Sequence, residues 1–417
     1  MKKKLFYFTD SYPYGTGEKT FVEKEIKLFS DHYDVSVVSL AADREVKDVD
    51  HVSKLPNNVK LIYCGKRKLP LKFFYTLMFL FSNAGRAEIK RIFKSKKDIF
   101  ARTMLSAFKY ASGKTVLFQL RKAGVFNEAS NSIYYTFWFS TALLSCAIEK
   151  NETRKQFTLI SRIHGYDLYE ERCQRSWQSL QVFKANYVDR IIFLTNHALR
   201  YFCSKYIDVS WKSEICALGS RRAYMIPEMD KKRDVYRIVS CSHLIPLKRV
   251  DLIVAALCLI KDLDIEWFHF GGGNELGRVS KMARDKGIKA CFFGQVESKE
   301  IYDFYSKYYI DIFLTTSASE GLPVSIQEAM AFKIPIIGTD VGGISEEIDG
   351  NGILLSANPS PEEVAQAIKE ILLLPNDQTA IFRNRSYELW EQKFNQNENC
   401  LRILQLIEKA DYSCGGC

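Results

Sequence analysis

Two carboxylates separated by seven residues stand out in residues 317–330, which read SASEGLPVSIQEAM. The segment follows an apolar strand pattern, and Gly321 with Pro323 indicates a tight turn that opens a helix. Backbone amides and the dipole at a helix N-terminus attract anions such as phosphate. Because acids beside a phosphate site would repel it, we expect Glu320 and Glu328 to accept hydrogen bonds from hydroxyls of a ligand whose phosphates lie between them. A sugar, a pyrophosphate and a ribose in series fit that description.

The elements that must position these groups form a regular alternation. From Tyr236 onward, strands are predicted at 237–241, 265–270, 290–293, 311–315, 334–338 and near Ile353, with helical patterns between them. Such βαβ units build a parallel sheet, and the loops at the carboxyl ends of its strands carry the chemistry.

The first half of the chain predicts a second α/β domain. Strands are expected at 5–8, 35–40, 133–136, 158–163 and 190–194, with a helix over 18–29. The periodicity breaks between 218 and 234, where Gly219, Pro227 and the charged run 230–234 occur. We therefore place the boundary between the two domains near residue 220.

Several segments in the same order resemble glycosyltransferase family 4, the retaining glycosyltransferases of the GT-B fold. EGLPVSIQEAM is similar to the Glu-x7-Glu motif of that family. SCSHLIPLKRVDLIVAAL, HFGGG and GTDVGGISEEI resemble further parts of its donor domain. SYPYGTGEKTFVEKEI and SRIHGYDL resemble acceptor-domain loops of bacterial members that build cell-surface polysaccharides.

The resemblance implies two Rossmann-like, doubly wound α/β domains facing across a cleft. Residues 1–220 would bind the acceptor, residues 221–380 would bind a nucleotide-sugar donor, and a helical segment at 381–417 would pack back across both. The implied reaction moves a hexose-type sugar from a nucleotide diphosphate to a hydroxyl of a glycan or lipid-linked acceptor. Retention of anomeric configuration is expected, with the leaving phosphate helping to take the acceptor proton.

The family's roles carry over to residues of the motif segment. Glu320 would lie against the donor sugar, and Glu328 would bind the ribose hydroxyls. Backbone amides presented to the sugar or the phosphates would come from Gly321, Leu322 and Pro323.

Four other positions are implicated by the same resemblance. Lys248 would neutralise the diphosphate leaving group. His243 stands where the family usually has an arginine. Either His243 contacts the phosphate as a weaker cation or hydrogen-bond donor, or Arg249 reaches the phosphate instead. A third alternative is that His243 is an ordinary loop residue. His164 would contact the donor sugar near the reacting carbon, unless its role is structural. Gly17 would let the backbone approach the donor phosphate or the acceptor, unless it is an ordinary turn glycine.

Other chemistries are disfavoured. A nicotinamide site would need G-x-G-x-x-G after a strand, but Leu276 follows Gly271, Gly272 and Gly273 in the third glycine's place. The Asp-x-Asp patterns at 48–50 and 262–264 do not end strands, so no metal and no cofactor beyond the donor substrate are expected. A GT-B-fold nucleotide-sugar epimerase or hydrolase, and a non-catalytic nucleotide-sugar-binding scaffold, remain as alternatives.

Residues 60–122 form a basic and aromatic insert that predicts an anionic partner. It holds 16 lysines and arginines against only Glu88 and Asp98, in a chain with a net charge of +10. The aromatic run at 69–81 follows Lys66, Arg67 and Lys68 and predicts a helix lying in an anionic membrane surface, with a buried helix beneath a solvated basic face as the alternative. The predicted membrane-facing side chains are Phe73, Phe74, Phe79, Lys94, Lys96 and Lys97.

Nucleic acid is disfavoured as the anionic partner, since no recognised binding module occurs. With no long uninterrupted apolar stretch, the chain is expected in the cytoplasm, peripheral on the inner face of the membrane.

Overall fold

A computed structural model describes residues 2–15, 17–41, 52–65, 69–228 and 235–414. Residues 48–50, 66–68 and 230–234, which entered the predictions above, lie outside the described residues. The chain divides into two compact units, Met1–Cys216 with Cys400–Cys417, and Ala217–Asn399.

The first unit is built on a seven-stranded sheet in which every neighbouring pair is parallel. The strand order is β3-β2-β1-β4-β5-β6-β7. Both β4 and β5 are buried along their whole length, as expected for strands covered on two faces. The strands are β1 Lys4–Thr9, β2 Asp34–Ser39, β3 Lys60–Tyr63, β4 Ser132–Thr136, β5 Thr158–Ile163, β6 Arg190–Phe193 and β7 Ser213–Ile215.

Helices cover this sheet. They are α1 Lys19–His32, α2 Leu69–Phe81, α3 Asn83–Ser95, α4 Ile99–Lys122, α5 Thr141–Thr153, α6 Gly165–Leu168, α7 Gln181–Tyr187 and α8 Asn196–Lys205. Most of the helices after β3 share one core with the sheet, in which the rings of Tyr134, Phe126 and Phe157 contact one another, whereas the buried residues of α1 lie outside that core.

The predicted insert is more elaborate than one membrane helix. Its first residues form β3 at the edge of the sheet, and three helices, α2, α3 and α4, follow. Ser82 caps α3 by accepting a hydrogen bond from the amide of Gly85 at 2.9 Å. Lys96, with φ at +54°, ends α3 in the left-handed region. These two local signals turn the chain twice and divide the basic stretch into separate helices.

The second unit carries a six-stranded sheet, again parallel throughout, in the order β10-β9-β8-β11-β12-β13. Its strands are β8 Tyr236–Cys241, β9 Ile265–Phe270, β10 Ala290–Gly294, β11 Ile312–Thr315, β12 Ile336–Thr339 and β13 Gly352–Leu355. Its helices are α9 Val250–Leu257, α10 Leu276–Asp285, α11 Ser298–Lys307, α12 Val324–Ala331, α13 Pro361–Leu372 and α14 Asn376–Leu389.

The strand order reverses at β8 and β11 in the second sheet, and at β1 and β4 in the first. The loops that follow such a pair leave in opposite directions and open a crevice at the carboxyl edge of the sheet. The α/β class with two parallel-sheet domains, predicted from the sequence, is confirmed.

The carboxyl-terminal segment is divided differently from the prediction. Residues up to Asn399 belong to the second unit, whereas α15 (Gln396–Cys414) joins the first unit from Cys400 onward. Arg383 donates to the carbonyl of Ile310 at 2.8 Å and Ser386 to that of Ile334 at 2.8 Å, and both bonds are buried. These bonds tie α14 to the second unit, so the stretch 381–417 is not one structural segment. The first boundary falls at 216–217 rather than at 220.

A search of the described helices finds none with the length and apolar character needed to cross a membrane.

Candidate active site

An ion pair joins the loops that follow β8 and β11. Lys248 Nζ donates to Glu320 Oε1, and Ser317 Oγ donates to the same carboxylate oxygen at 2.7 Å. Glu320 is buried and Lys248 is partly buried. Two residues that sequence reasoning assigned to the sugar and to the diphosphate therefore meet at the switch point of the second sheet.

Arg249 holds this arrangement together. Its guanidinium donates to the carbonyls of Thr316, Ser317 and Ala357 at 2.7, 2.8 and 2.9 Å, and to Asn358 Oδ1 at 2.9 Å. Four of its five N–H groups bond to neighbouring loops, and the alternative that Arg249 reaches a donor phosphate stays a prediction. Sequence reasoning missed its positioning role, for which a basic residue beside Lys248 was the only signal.

The motif turn corrects one predicted contact. Pro323 is the N-cap of α12, with an extended backbone at ψ 113°. Proline has no N–H, so the prediction that Pro323 presents an amide to the ligand is wrong. Gly321 and Leu322 retain amides that could serve a ligand.

Glycines allow neighbouring loops to press against the motif. Gly342 has φ +59°, and a Cβ there would lie 1.8 Å from the carbonyl oxygen of Glu320. The amide of Gly343 donates to the carbonyl of Gly321 at 2.8 Å. In the same way, a Cβ on Gly271, at φ +132°, would lie 1.9 Å from the carbonyl oxygen of Ser242. These glycines are required by close backbone approach, which keeps both site loops in place.

Glu328 lies on α12, away from the Lys248 pair. Ser298 Oγ donates to Glu328 Oε1 at 2.8 Å. Burial raises the pKa of the Glu328 carboxyl to about 7, against the smaller opposing effects of that hydrogen bond and of the Arg221 charge. The carboxyl is thus poised to ionise near neutral pH.

His243 is exposed in the loop after β8. It lines a cavity of about 160 Å³ together with Ser242, Gly271 and Gln295. The cavity lies at the carboxyl edge of β8, β9 and β10, on the side of the sheet where ligands of doubly wound folds bind.

The first unit has a larger cavity of about 570 Å³, here called the aromatic cavity. It is lined by Gly17 and by side chains that include Trp138, Tyr166, Asp167 and Lys184. A Cβ built on Gly17 meets nothing within 4 Å, so packing does not require glycine there. The cavity lies beyond the carboxyl ends of β1, β4 and β5.

His164 stands at the end of β5 and is buried. Its ring packs against Trp138 with centroids 4.3 Å apart, and Nε2 lies 2.8 Å from the carbonyl oxygen of Phe137, which places the proton on Nε2. Burial, with the Arg162 charge, lowers the pKa of His164 to about 3. His164 is therefore a neutral imidazole at physiological pH, and its Nε2 proton is donated to the carbonyl of Phe137.

Sequence reasoning missed a buried acid and base beside His164. Asp167 accepts from the amides of Phe139 and His164, each at 2.6 Å, and Lys184 Nζ donates to the carbonyl of Phe139 at 2.6 Å. Burial raises the pKa of Asp167 and lowers that of Lys184. The segment SRIHGYDL contained Asp167, but nothing in its spacing indicated Lys184.

The predicted membrane-facing residues differ in their exposure to solvent. Phe73 and Phe74 are 71% and 60% exposed on α2. Phe79 is fully buried, with its ring 5.7 Å from that of Tyr110 on α4, so its assignment to the membrane surface is wrong. The cause is the helical period, which turns position 79 toward the core. Lys94, Lys96 and Lys97 are exposed, and Lys94 and Lys97 line a second cavity in the first unit.

Among the described residues, no group of three or more histidine, cysteine, aspartate or glutamate side chains is arranged to hold a metal ion.

A family model matches most of the second unit. Residues 225–388 match the model of the family described as glycosyl transferases group 1. A segment of 130 residues is 31% identical to the O-antigen biosynthesis glycosyltransferase WbnH of Escherichia coli and covers 31% of this chain and 36% of that protein. The match thus spans about a third of that relative's length.

Solved structures agree over nearly the whole chain. The apo lipopolysaccharide outer core galactosyltransferase WaaB aligns with TM-score 0.69 and 14% identity, covering 98% of this chain and 99% of that one. Anabaena HepE in complex with UDP and glucose aligns with TM-score 0.67 and 15% identity, covering 98% and 100%. At these identities the likeness shows the fold, an α/β fold with two parallel-sheet domains.

The pKa of Glu328 yields a stability prediction. Between about pH 4.5 and 7 the unfolded chain releases a proton that the folded chain keeps, so the free energy of unfolding falls as pH rises and stays lowered above pH 7. Glu328→Gln removes this ionisation and should stabilise the protein at pH 8 by on the order of 1–3 kcal/mol, with a smaller gain at pH 4.5. Thermal denaturation of the variant and the wild type at both pH values measures this difference in stability. The exposed Glu370→Gln serves as the control, and equal gains at both pH values would contradict the assignment.

The two kinds of phenylalanine on α2 should respond differently to the same substitution. Phe79→Ser should lower the free energy of unfolding by about 3–5 kcal/mol, because it empties a core position. Phe73→Ser should change it by less than about 0.5 kcal/mol, because that ring is exposed. Urea denaturation measures the free energy of unfolding of both variants. A similar loss of stability in the two would contradict the exposure of Phe73 and place both rings in the core.

Proposed function

We propose that this protein is a retaining glycosyltransferase that moves a sugar from a nucleotide diphosphate to an acceptor hydroxyl in the assembly of cell-surface polysaccharide or lipopolysaccharide. The observation that carries the proposal is the pairing of Lys248 with Glu320 at the carboxyl ends of β8 and β11. Both residues, and Glu328, lie inside the segment that matches the glycosyl transferases group 1.

Lys248 would serve the leaving group. As the bond between the anomeric carbon and the phosphate oxygen breaks, negative charge grows on the diphosphate, and a fixed ammonium in a dry site stabilises it. The acceptor oxygen then bonds to the anomeric carbon on the same face. Its proton passes to the leaving phosphate oxygen, so the reaction needs no separate protein base.

The two glutamates would divide the donor between them. When the diphosphate becomes the counter-ion of Lys248, the Glu320 carboxylate is released to accept hydrogen bonds from sugar hydroxyls. Glu328 would accept from the two ribose hydroxyls, which favours its ionised form. The cavity beside His243 would take the adjoining part of the nucleoside, which leaves His243 as a hydrogen-bonding partner rather than a required cation.

The aromatic cavity of the first unit would take the acceptor. Indole and phenol faces, here those of Trp138 and Tyr166, pack against the apolar faces of sugar rings, while Asp10 and Lys109 offer polar contacts to hydroxyls. The names of WbnH and WaaB connect those proteins with O-antigen and lipopolysaccharide. A glycan or a lipid-linked acceptor of that kind is our proposal for this chain.

We also propose that α2 lies on an anionic membrane at the cytoplasmic face. Its exposed apolar side chains include Phe73, Phe74, Leu77 and Phe81, the last 83% exposed. Exposed basic residues of α3 and of the turn after it, Lys94, Lys96 and Lys97, would add positive charge to this surface. An apolar face edged by lysines is typical of helices that lie in a lipid surface.

The transferase proposal is tested at Lys248. Thermal-shift screening of UDP, GDP, ADP and their sugars first selects the donor, and turnover is then measured as a glycosylated acceptor. Lys248→Ala should lower turnover by roughly 100-fold, because a preorganised charge on the leaving group is lost. Lys289→Ala removes an exposed lysine of the same unit and should leave turnover unchanged. Donor isomerised or hydrolysed without any glycosylated acceptor would favour an epimerase or hydrolase instead.

The membrane proposal is tested with vesicles containing phosphatidylglycerol. The wild type should sediment with them at low salt and be released in part at 1 M salt, where the Debye length falls to about 3 Å. The double variant Phe73→Ser/Phe74→Ser should lose the binding that persists at high salt, whereas Ile381→Ser, which changes an exposed apolar residue of the second unit, should not. A wild type that ignores these vesicles at low salt would refute the proposal.

A further inference from the structure

A second cavity of about 570 Å³ in the first unit, here called the basic pocket, lies between α3, α4, α8 and the segment 170–177. Five basic side chains line it, namely Arg91, Lys94, Lys97, Arg102 and Lys205. Two carboxylates, those of Glu170 and Glu171, also line it. The donor chemistry described above uses none of these groups.

Arg102 is the group that points to a ligand. Its side chain is 6% exposed, and its guanidinium donates to two neutral acceptors, Ser95 Oγ at 3.0 Å and the carbonyl of Arg175 at 3.2 Å. Nε has no hydrogen-bond partner, and no carboxylate of the described residues lies within ion-pair distance of this guanidinium. A buried cation without a counter-ion is costly, and a bound anion would supply one.

The carboxylates of the pocket are already engaged elsewhere. Glu170 pairs with Arg91 at 3.3 Å and with Lys205 at 3.2 Å. Glu171 accepts from the hydroxyl of Tyr201 at 3.1 Å. Within the described part of the chain, Lys94 and Lys97, like Arg102, form no ion pair, and the five basic and two acidic side chains that line the cavity leave a net charge of +3.

The backbone adds to this positive field. Helix α4, 24 residues long, begins at Ile99, between Lys97 and Arg102. The positive end of its dipole therefore lies among these side chains. The Arg102 guanidinium also stacks over the indole of Trp177, 4.6 Å from the ring centroid, which keeps it rigid.

From these observations we infer that the basic pocket binds a phosphate group. A guanidinium, two ammonium groups and a helix N-terminus together suit the several oxygens of a phosphate or pyrophosphate. The pocket shares Trp177 with the aromatic cavity. An acceptor that carries a phosphate could thus place its sugar in the aromatic cavity and its phosphate here, a use that rests on the proposed transferase function.

The test is direct binding of inorganic pyrophosphate, measured by isothermal titration in the absence of any nucleotide sugar. All variants in this titration carry Lys248→Ala, so that pyrophosphate bound at the donor site does not contribute. In that background Lys94→Gln/Lys97→Gln should weaken pyrophosphate binding by roughly tenfold or more, as expected for lost hydrogen bonds to charged groups. Lys27→Gln/Lys122→Gln removes the same charge from two exposed positions of the first unit that do not line the pocket, and it should change the affinity less than twofold. Arg102→Gln should weaken binding at least as strongly if it folds.

A second arm identifies the source of the phosphate. Vesicles of phosphatidylcholine with phosphatidic acid present the group on a lipid, whereas pyrophosphate presents it free. If the Lys94/Lys97 variant loses either signal, with the vesicle signal taken as the excess over phosphatidylglycerol vesicles of equal charge, and the Lys27/Lys122 variant keeps it, the pocket is a phosphate site for that source. Equal behaviour of the two variants in both arms would overturn the inference.

The outcome is separable from that of the proposed function. Pyrophosphate binding that depends on Lys94 and Lys97 would stand even in a protein that transferred no sugar. The converse outcome is turnover that is the same in the Lys94/Lys97 variant as in the wild type, and the same with and without pyrophosphate. The transferase proposal would then stand, but the pocket would have no part in the reaction.

Discussion

The candidate donor site depends on the four hydrogen bonds of Arg249. They join the loop after β8 to the loops after β11 and β13, which the chain presents from positions far apart in sequence. Because Lys248 immediately precedes Arg249, fixing this guanidinium also fixes the ammonium opposite Glu320. A lysine could not replace it, since only the planar fork of arginine offers donors in several fixed directions at once.

The second unit holds a second buried carboxyl, that of Glu347, whose surroundings include Glu320. Glu347 is fully buried, and burial, together with the charges of Glu320 and Glu346, raises its pKa well above the ordinary value. Gln327 donates a hydrogen bond to Glu347 Oε1 at 2.9 Å. Burial thus favours the protonated form of Glu347. Among the described residues, Glu320 is the carboxylate within ion-pair distance of Lys248, and a diphosphate could replace it as the counter-ion.

The helices and strands were easier to predict from the sequence than the contacts between distant side chains. Strands such as β5 and β9 were predicted at their observed bounds because each is a short run rich in β-branched or aromatic residues. Lys248 and Glu320 were identified from residue type, order and resemblance. Arg249, Lys184 and the burial of Phe79 were not, since each depends on which distant residue packs beside it. The missing amide of Pro323 was readable from the sequence, because it follows from covalent structure alone.

The segment 170–179 connects the two cavities of the first unit. Arg175 and Ser176 have φ of 61° and 44°, a left-handed conformation that is unfavourable for residues other than glycine. Arg102 donates to the carbonyl of Arg175, and the indole of Trp177 donates to Glu88 at 3.0 Å, so contacts with α3 and α4 hold the segment in this form. An anion bound at Arg102 would act on the same segment that carries Trp177 into the aromatic cavity. The basic pocket would then help to set the shape of the acceptor site as well as its charge, because one buried indole forms a wall of both.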